Sequence, residues 1–152
     1  MKVEEYLKKQ GVAYELREHP PAYTAQELAA EEHVSGNMFA KAVVVRADKG
    51  HAVCALPASC KLDMKKLGKV LKSKKVRLAD ETEMAELFPD CEVGAEPPFG
   101  NLYDLPTVVD EHLAQDEEIV FQAGTHRQAI KMKYADYAAI VEPTVADVAV
   151  HL

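Results

Sequence analysis

Apolar and polar positions alternate with two different periods along this chain, and the switches between them mark its elements. Near the start, Val3, Tyr6 and Leu7 fall on one side of a helix over residues 3–10, and Gly11 is a natural C′ stop. Tyr14-Glu15-Leu16-Arg17-Glu18 alternates with period two and predicts a strand, ended by His19-Pro20-Pro21. Thr24-Ala25-Gln26-Glu27 is a capping box for a helix over about residues 25–33, broken by Ser35-Gly36. The run from Met38 to Arg46 predicts a buried strand, Asp48-Lys49-Gly50 a tight turn, and His51-Ala52-Val53-Cys54-Ala55-Leu56 its hairpin partner.

Asp63 caps a helix over about residues 64–71, with Met64, Leu67 and Leu71 inward and Lys65, Lys69 and Lys72 opposite. A short strand over residues 76–79 follows. The capping box Asp80-Glu81-Thr82-Glu83 then opens a helix that Pro89 closes. Residues 94–100 form an irregular loop, stiffened by Pro97 and Pro98 and freed at its ends by Gly94 and Gly100. Strands are expected over residues 106–110, 118–123 and 128–133, with a turn at Gly124-Thr125-His126 and a closing helix over residues 134–141. Strands outnumber helices and come as hairpins. This predicts an α+β domain with a mixed, largely antiparallel sheet or barrel, not a doubly wound nucleotide fold. The 152 residues suit a single domain.

Composition narrows the function classes. The chain is 48% hydrophobic and 28% charged, and no apolar run approaches the ~20 residues of a membrane span. The first residues lack the apolar core of a signal peptide. Cys54, Cys60 and Cys91 show no C-x-x-C spacing, so a reducing cytoplasm without a disulfide framework is expected. The six histidines are scattered, so neither a metal site nor a cofactor is expected. Net charge is −7, yet Lys61, Lys65, Lys66, Lys69, Lys72, Lys74, Lys75 and Arg77 are opposed by Asp63 alone. Such a patch is either a phosphate-contacting surface or a solvated helix face.

Three features carry candidate chemistry. Lys41 shares a strand face with Phe39, Val43 and Val45. A charged, unpaired lysine there costs several kcal/mol, so it either snorkels to water or meets a carboxylate, carbonyls or a ligand. The 94–100 loop offers backbone held in place, and the 124–126 turn offers a hydroxyl, an imidazole and amides. No serine lies in a G-x-S-x-G elbow, and no cysteine has an identifiable base.

In order and spacing these segments resemble a stand-alone member of the YbaK/prolyl-tRNA-synthetase-associated family. They are Phe39-Ala40-Lys41-Ala42-Val43-Val44-Val45, Leu62-Asp63-Met64-Lys65-Lys66-Leu67, Val76-Arg77-Leu78-Ala79, the G-x-x-x-P match at Gly94 and Pro98, Leu105-Pro106-Thr107-Val108-Val109-Asp110, and Phe121-Gln122-Ala123-Gly124-Thr125-His126. The resemblance implies a six- to seven-stranded mixed barrel-like sheet with surrounding helices. It also implies trans-editing, the hydrolysis of the ester joining a wrong amino acid to tRNA. A small residue such as Cys or Ala on tRNA-Pro, or a related pair, is the expected substrate, and an aminoacyl-tRNA synthetase a further partner. It makes Lys41, Gly94 and Pro98 catalytic. Ala95, Glu96, Pro97, Phe99, Gly100, Asp110, Gly124, Thr125 and His126 would line the substrate site, with the 94–98 amides as an oxyanion hole. Lys61, Lys65, Lys66, Lys69, Lys72, Lys74 and Lys75 would hold the tRNA acceptor end. Ala42 departs from the alanyl-tRNA-Pro editing branch, which carries asparagine there. A non-catalytic domain that binds RNA or an amino acid, as partner of a synthetase or regulator, is the alternative.

Overall fold

The computed structural model describes residues 2–19 and 38–152. The helix expected over residues 25–33, its capping box and the Ser35-Gly36 break lie outside the described residues.

Local chemistry sets most of the elements. Helix α1 (Lys2–Gln10) buries Val3 and Leu7, four residues apart, and ends at Gly11, whose φ of 71° suits a residue without Cβ. Strand β1 (Tyr14–Glu18) follows, then β2 (Ala40–Ala47), β3 (Gly50–Pro57) and β4 (Cys60–Leu62). Helix α2 (Met64–Leu71) is capped by the Asp63 carboxylate, which accepts the Lys65 and Lys66 amides, and it buries Leu67. Strand β5 (Arg77–Leu78) leads to α3 (Glu81–Leu87), where the Asp80–Glu83 capping box is complete. Strand β6 (Thr107–Asp110), β7 (Glu118–Gln122), β8 (Gln128–Lys133), helix α4 (Tyr134–Val141), β9 (Thr144–Ala146) and β10 (Ala149–His151) complete the chain. Short 3₁₀ turns at Gly100–Tyr103 and Leu113–Gln115 flank β6.

The sheet is mixed, as expected, but the described strands do not close into a barrel. They form three sheets: β5-β2-β3-β6-β9, β1-β8-β7 and β10-β4. Pairing is antiparallel except between β3 and β6 and between β6 and β9. The large sheet ends at β5, which has two residues and leaves Leu78 57% exposed, and at three-residue β9. Edges this short carry too little ladder to continue into a ring. One parallel bridge, Phe39 to Val120, links β2 to the three-stranded sheet.

The two faces of the β2–β3 hairpin are buried under different elements. Val45, Ala52 and Cys54 pack with Leu67 of α2 and with Val108 and Val148. Val44 and Val53 pack with Phe88, just after α3. A third cluster joins α1, α4 and the three-stranded sheet around Phe99, Phe121, Ile130 and Tyr137.

Candidate active site

Two of the three candidate features meet. The 94–100 loop and the 124–126 turn are laced together by backbone: the Gly124 amide donates to Ala95 O at 2.9 Å, and the Glu92 amide to Gly124 O at 2.8 Å. The Glu92 carboxylate accepts the His126 amide at 2.7 Å, and His126 Nε2 donates to Val93 O at 2.9 Å. Gly94 takes φ 91°, and a Cβ there would stand 3.4 Å from His126 Cε1. Glycine is therefore favoured by the sign of φ, while the imidazole sits at ordinary contact distance. His126 is buried, with Nδ1 3.5 Å from Gln122 Nε2, so it stands as a pillar of the turn. Thr125 Oγ1 donates to Gln128 Oε1 at 3.2 Å. A cavity of about 400 Å³ opens beside the turn, lined by Glu18, His19, Glu92, Thr125, Arg127 and Gln128.

Gly94 is exposed, whereas residues 95–100 are buried. Inside the loop the Gly94 amide donates to both Glu96 carboxylate oxygens at 3.0 Å. Burial pushes the Glu96 carboxyl above the usual carboxylate value, and these bonds pull against it. Tyr137 Oη donates to Pro98 O at 2.5 Å, and the Gly100 amide to Thr107 Oγ1 at 2.9 Å. The Ala95 and Phe99 amides donate to Glu92 O and Pro97 O. Of the loop amides, Gly94, Ala95, Phe99 and Gly100 donate inside the protein, the Glu96 amide lies against its own carboxylate, and Pro97 and Pro98 have no N–H to give. The loop is a rigid wall.

Lys41 stands elsewhere on the hairpin. It lies opposite Leu56 in the β2–β3 register, and Leu56 packs with Cys60, Ala149 and Val43. Ala40 belongs instead to the cluster of Phe99 and Ala123, and Ala42 packs against that of Val44, Val53 and Phe88. The strand thus turns Lys41 to the Cys60 side and its two alanine neighbours to the loop side. Lys41 is half-buried and in no ion pair among the described residues. Burial pulls its ammonium below the usual lysine value, with a small opposing effect from Cys60. Cys60 also lines a cavity of about 420 Å³ with His112, Gln115, Asp116, Ala149 and His151.

Asp110 is fully buried at the end of β6. Its Oδ2 accepts from His112 N and Nδ1 at 3.1 and 2.9 Å, and its Oδ1 from the Val148 amide at 3.1 Å. These bonds clamp the β9–β10 connection, and none goes to the loop or turn. The thiols offer no nucleophile at neutral pH where burial acts: Cys54 is pushed up to about 12 and Cys91 to about 11. Glu92 and Tyr137, absent from the candidates read in the sequence, hold the turn and the loop. Their partners lie 34 and 39 residues away in the chain, beyond any local pattern.

Known proteins resemble this chain along most of its length. The aminoacyl-tRNA editing domain matches it over residues 19–140. The Multifunctional Ser/Thr-tRNA deacylase ProXp-y of Escherichia coli (strain K12) is 28% identical over 143 residues, covering 90% of this chain and 84% of that protein. Among solved structures, a hypothetical protein matches with TM-score 0.89 and 25% identity, over 99% of this chain and all of that one. A candidate trans-editing enzyme for prolyl tRNA synthetase matches with TM-score 0.86 and 26% identity, over 97% of this chain and 94% of that one. The chain belongs to the aminoacyl-tRNA editing domain family.

Proposed function

We propose that this chain is a trans-acting aminoacyl-tRNA deacylase, a carboxylic ester hydrolase that removes a small, wrongly attached amino acid from tRNA. Alanine or cysteine on tRNA-Pro is the pair drawn from the sequence resemblance, and the name of the bacterial relative adds serine and threonine. The observation that carries the reading is Lys41: a half-buried ammonium, in no ion pair among the described residues, on a strand whose other side abuts the loop–turn unit.

An aminoacyl ester is already activated, so positioning and charge stabilisation supply most of the catalysis. The loop amides are spent within the protein, which leaves Lys41 as the group to meet the developing oxyanion or the terminal phosphate. Partial desolvation strengthens that meeting. Water adds to the ester carbonyl, and the bond from the acyl carbon to the ribose oxygen breaks. The ribose oxygen takes a proton as it leaves, and the amino acid departs as its carboxylate. Attack by the terminal ribose hydroxyl instead moves the ester to that oxygen, from which water must still release the amino acid. Gly94 and Pro98 fix the wall, and Ala95 to Gly100 with Gly124, Thr125 and His126 shape the amino-acid side. Sterics exclude larger side chains, and polar contacts must separate smaller ones. Work at tRNA acceptor ends fits a cytoplasmic protein, in the company of a synthetase.

The test is Lys41→Ala on a panel of alanyl-, cysteinyl-, seryl-, threonyl- and prolyl-tRNAs. Loss of one oxyanion partner lowers kcat about 10²–10³-fold; undiminished deacylation sinks the role. The fully engaged loop amides favour one other reading, a domain that binds RNA or an amino acid without turnover. Salt-dependent tRNA binding by a wild-type protein that deacylates no member of the panel selects it.

A further inference from the structure

The lysines that follow one another in the sequence separate in the fold. Lys61 lies on β4, opposite Val150 of β10. Lys66 Nζ bonds both oxygens of Asp147, at 3.0 and 3.1 Å. The other five, Lys65, Lys69, Lys72, Lys74 and Lys75, line one concavity of about 630 Å³, and none of them is in an ion pair among the described residues.

This concavity has two walls. Lys65, Lys69 and Lys72 stand at i, i+4 and i+7 along α2 and just past it, a stripe about 10 Å long. The second wall is a strap over residues 73–75, tied to the β2–β3 turn by Asp48. The Asp48 carboxylate accepts the Lys74 amide at 2.8 Å, and the Asp48 amide donates to Ser73 Oγ at 2.8 Å. Ser73 Oγ in turn donates to Lys75 O at 2.8 Å. Beyond the strap a second basic concavity, about 420 Å³, is lined by Arg46, Asp48, Lys75 and Arg77. Arg46 and Arg77 face each other directly across the β2–β5 ladder. Like charges so placed repel. Glu83 neutralises Arg77 at 2.6 Å, while Arg46 is exposed and in no ion pair among the described residues. Attraction to the carbonyl end of α2 accounts for Lys69 and Lys72 on a solvated helix, but not for the fastened strap or the opposed arginines.

We propose that the two-walled concavity is a cradle for the phosphates of RNA, that Arg46 extends it across the strap, and that Asp48 is its positioning residue. That the RNA is tRNA rests on the deacylase reading. Asp48 gives the proposal an unusual sign. Replacing it with alanine removes a negative charge from the rim of a basic surface, which by Coulomb attraction alone tightens a polyanion. If Asp48 sets the strap, the same change loosens it.

The experiment is fluorescence anisotropy of labelled, deacylated tRNA over a series of KCl concentrations. The triple variant K65Q/K69Q/K72Q lowers the slope of log Kd against log salt by about three, roughly one for each phosphate no longer neutralised. Lys61→Gln and Lys66→Gln leave it unchanged. Asp48→Ala weakens binding several-fold, whereas Asp48→Asn, whose amide oxygen still accepts the Lys74 amide while its charge is lost, binds at least as tightly as wild type; circular dichroism checks that each variant is folded. The proposal falls if Lys61→Gln or Lys66→Gln matches the cradle variants, if Asp48→Ala binds as tightly as wild type or tighter, or if the wild type shows no salt-dependent tRNA binding. Because deacylated tRNA is not turned over, binding that follows the cradle pattern in a protein that hydrolyses no aminoacyl-tRNA overturns the deacylase reading alone.

Discussion

Replacing Tyr137 with phenylalanine removes one oxygen and leaves the ring in place. That ring is fully buried, 5.2 Å edge-on from Phe99 and 5.8 Å from Tyr134, so apolar burial and aromatic contacts persist in the variant. What disappears is the hydrogen bond to Pro98 O at 2.5 Å, which leaves a buried carbonyl without its donor. The expected cost is about 1–3 kcal/mol, the penalty for an orphaned buried acceptor. For a chain of this length each kcal/mol lowers Tm by roughly 2–4 °C. Tyr134, one helical turn earlier, supplies the contrast. Its hydroxyl is buried with no hydrogen-bond partner among the described residues, so Tyr134→Phe should be neutral or stabilising, by up to about 1 kcal/mol. Urea melts followed by far-UV circular dichroism measure both, since the chain has no tryptophan to report by fluorescence. The m-values should match wild type, because neither change alters the surface exposed on unfolding. If Tyr137→Phe is as stable as wild type, or if the two variants shift alike, the hydroxyl does not hold the loop.

The glycines at the two ends of the loop should fail differently. At Gly100 a Cβ would meet Leu105 O and Thr107 Oγ1 at 2.6 Å, so Gly100→Ala should destabilise by about 3 kcal/mol or more; Gly94→Ala, strained by φ alone, should cost about 1–3 kcal/mol, fold, and lose deacylation. Thermal melts beside activity assays separate them, and an active Gly94→Ala would remove that position from the site. Glu83 is held down to about 2, first by the Arg77 hydrogen bond and then by His51. Its folded value lies below the unfolded 4.5, so its contribution is present above pH 4.5 and lost as pH falls toward 2. Wild-type stability should therefore drop over that window and Glu83→Gln should flatten the drop; parallel curves from urea melts at pH 5, 4 and 3 would count against it.

The elements written in local chemistry were legible in the sequence. The Asp63 cap, the Asp80–Glu83 box and the Asp48–Gly50 turn are decided by neighbours a few residues apart, and each forms where its residues predict. Strands β4, β9 and β10 were not, because three residues are too few to show a period and each is held by a distant partner. Barrel closure failed as an inference for a related reason. Hairpin spacing foretells antiparallel neighbours, but the parallel β3–β6–β9 pairing joins segments separated by helices and loops. In the site, glycine and proline marked the loop and the turn, while Glu92 and Tyr137 left no trace because they act across the fold.

The alternation of β2 also bears on substrate choice. Lys41 faces the Cys60 side, and Ala42, one residue on, packs against the apolar cluster of Val44, Val53 and Phe88. An asparagine at position 42, as in the alanyl-tRNA-Pro editing branch, would bring an amide into that cluster, at about 1–3 kcal/mol unless a partner met it. Alanine avoids the cost and offers no such polar group. Polar discrimination of a small side chain then has to come from groups the loop and turn present on their open side. Around the cavity at the turn these are the Glu92 carboxylate and the Thr125 hydroxyl, groups suited to a hydroxyl-bearing side chain more than to a methyl. A serine or threonine substrate therefore predicts that Thr125→Val slows deacylation of seryl- and threonyl-tRNA more than of alanyl-tRNA; equal loss on all three would remove the turn from substrate choice.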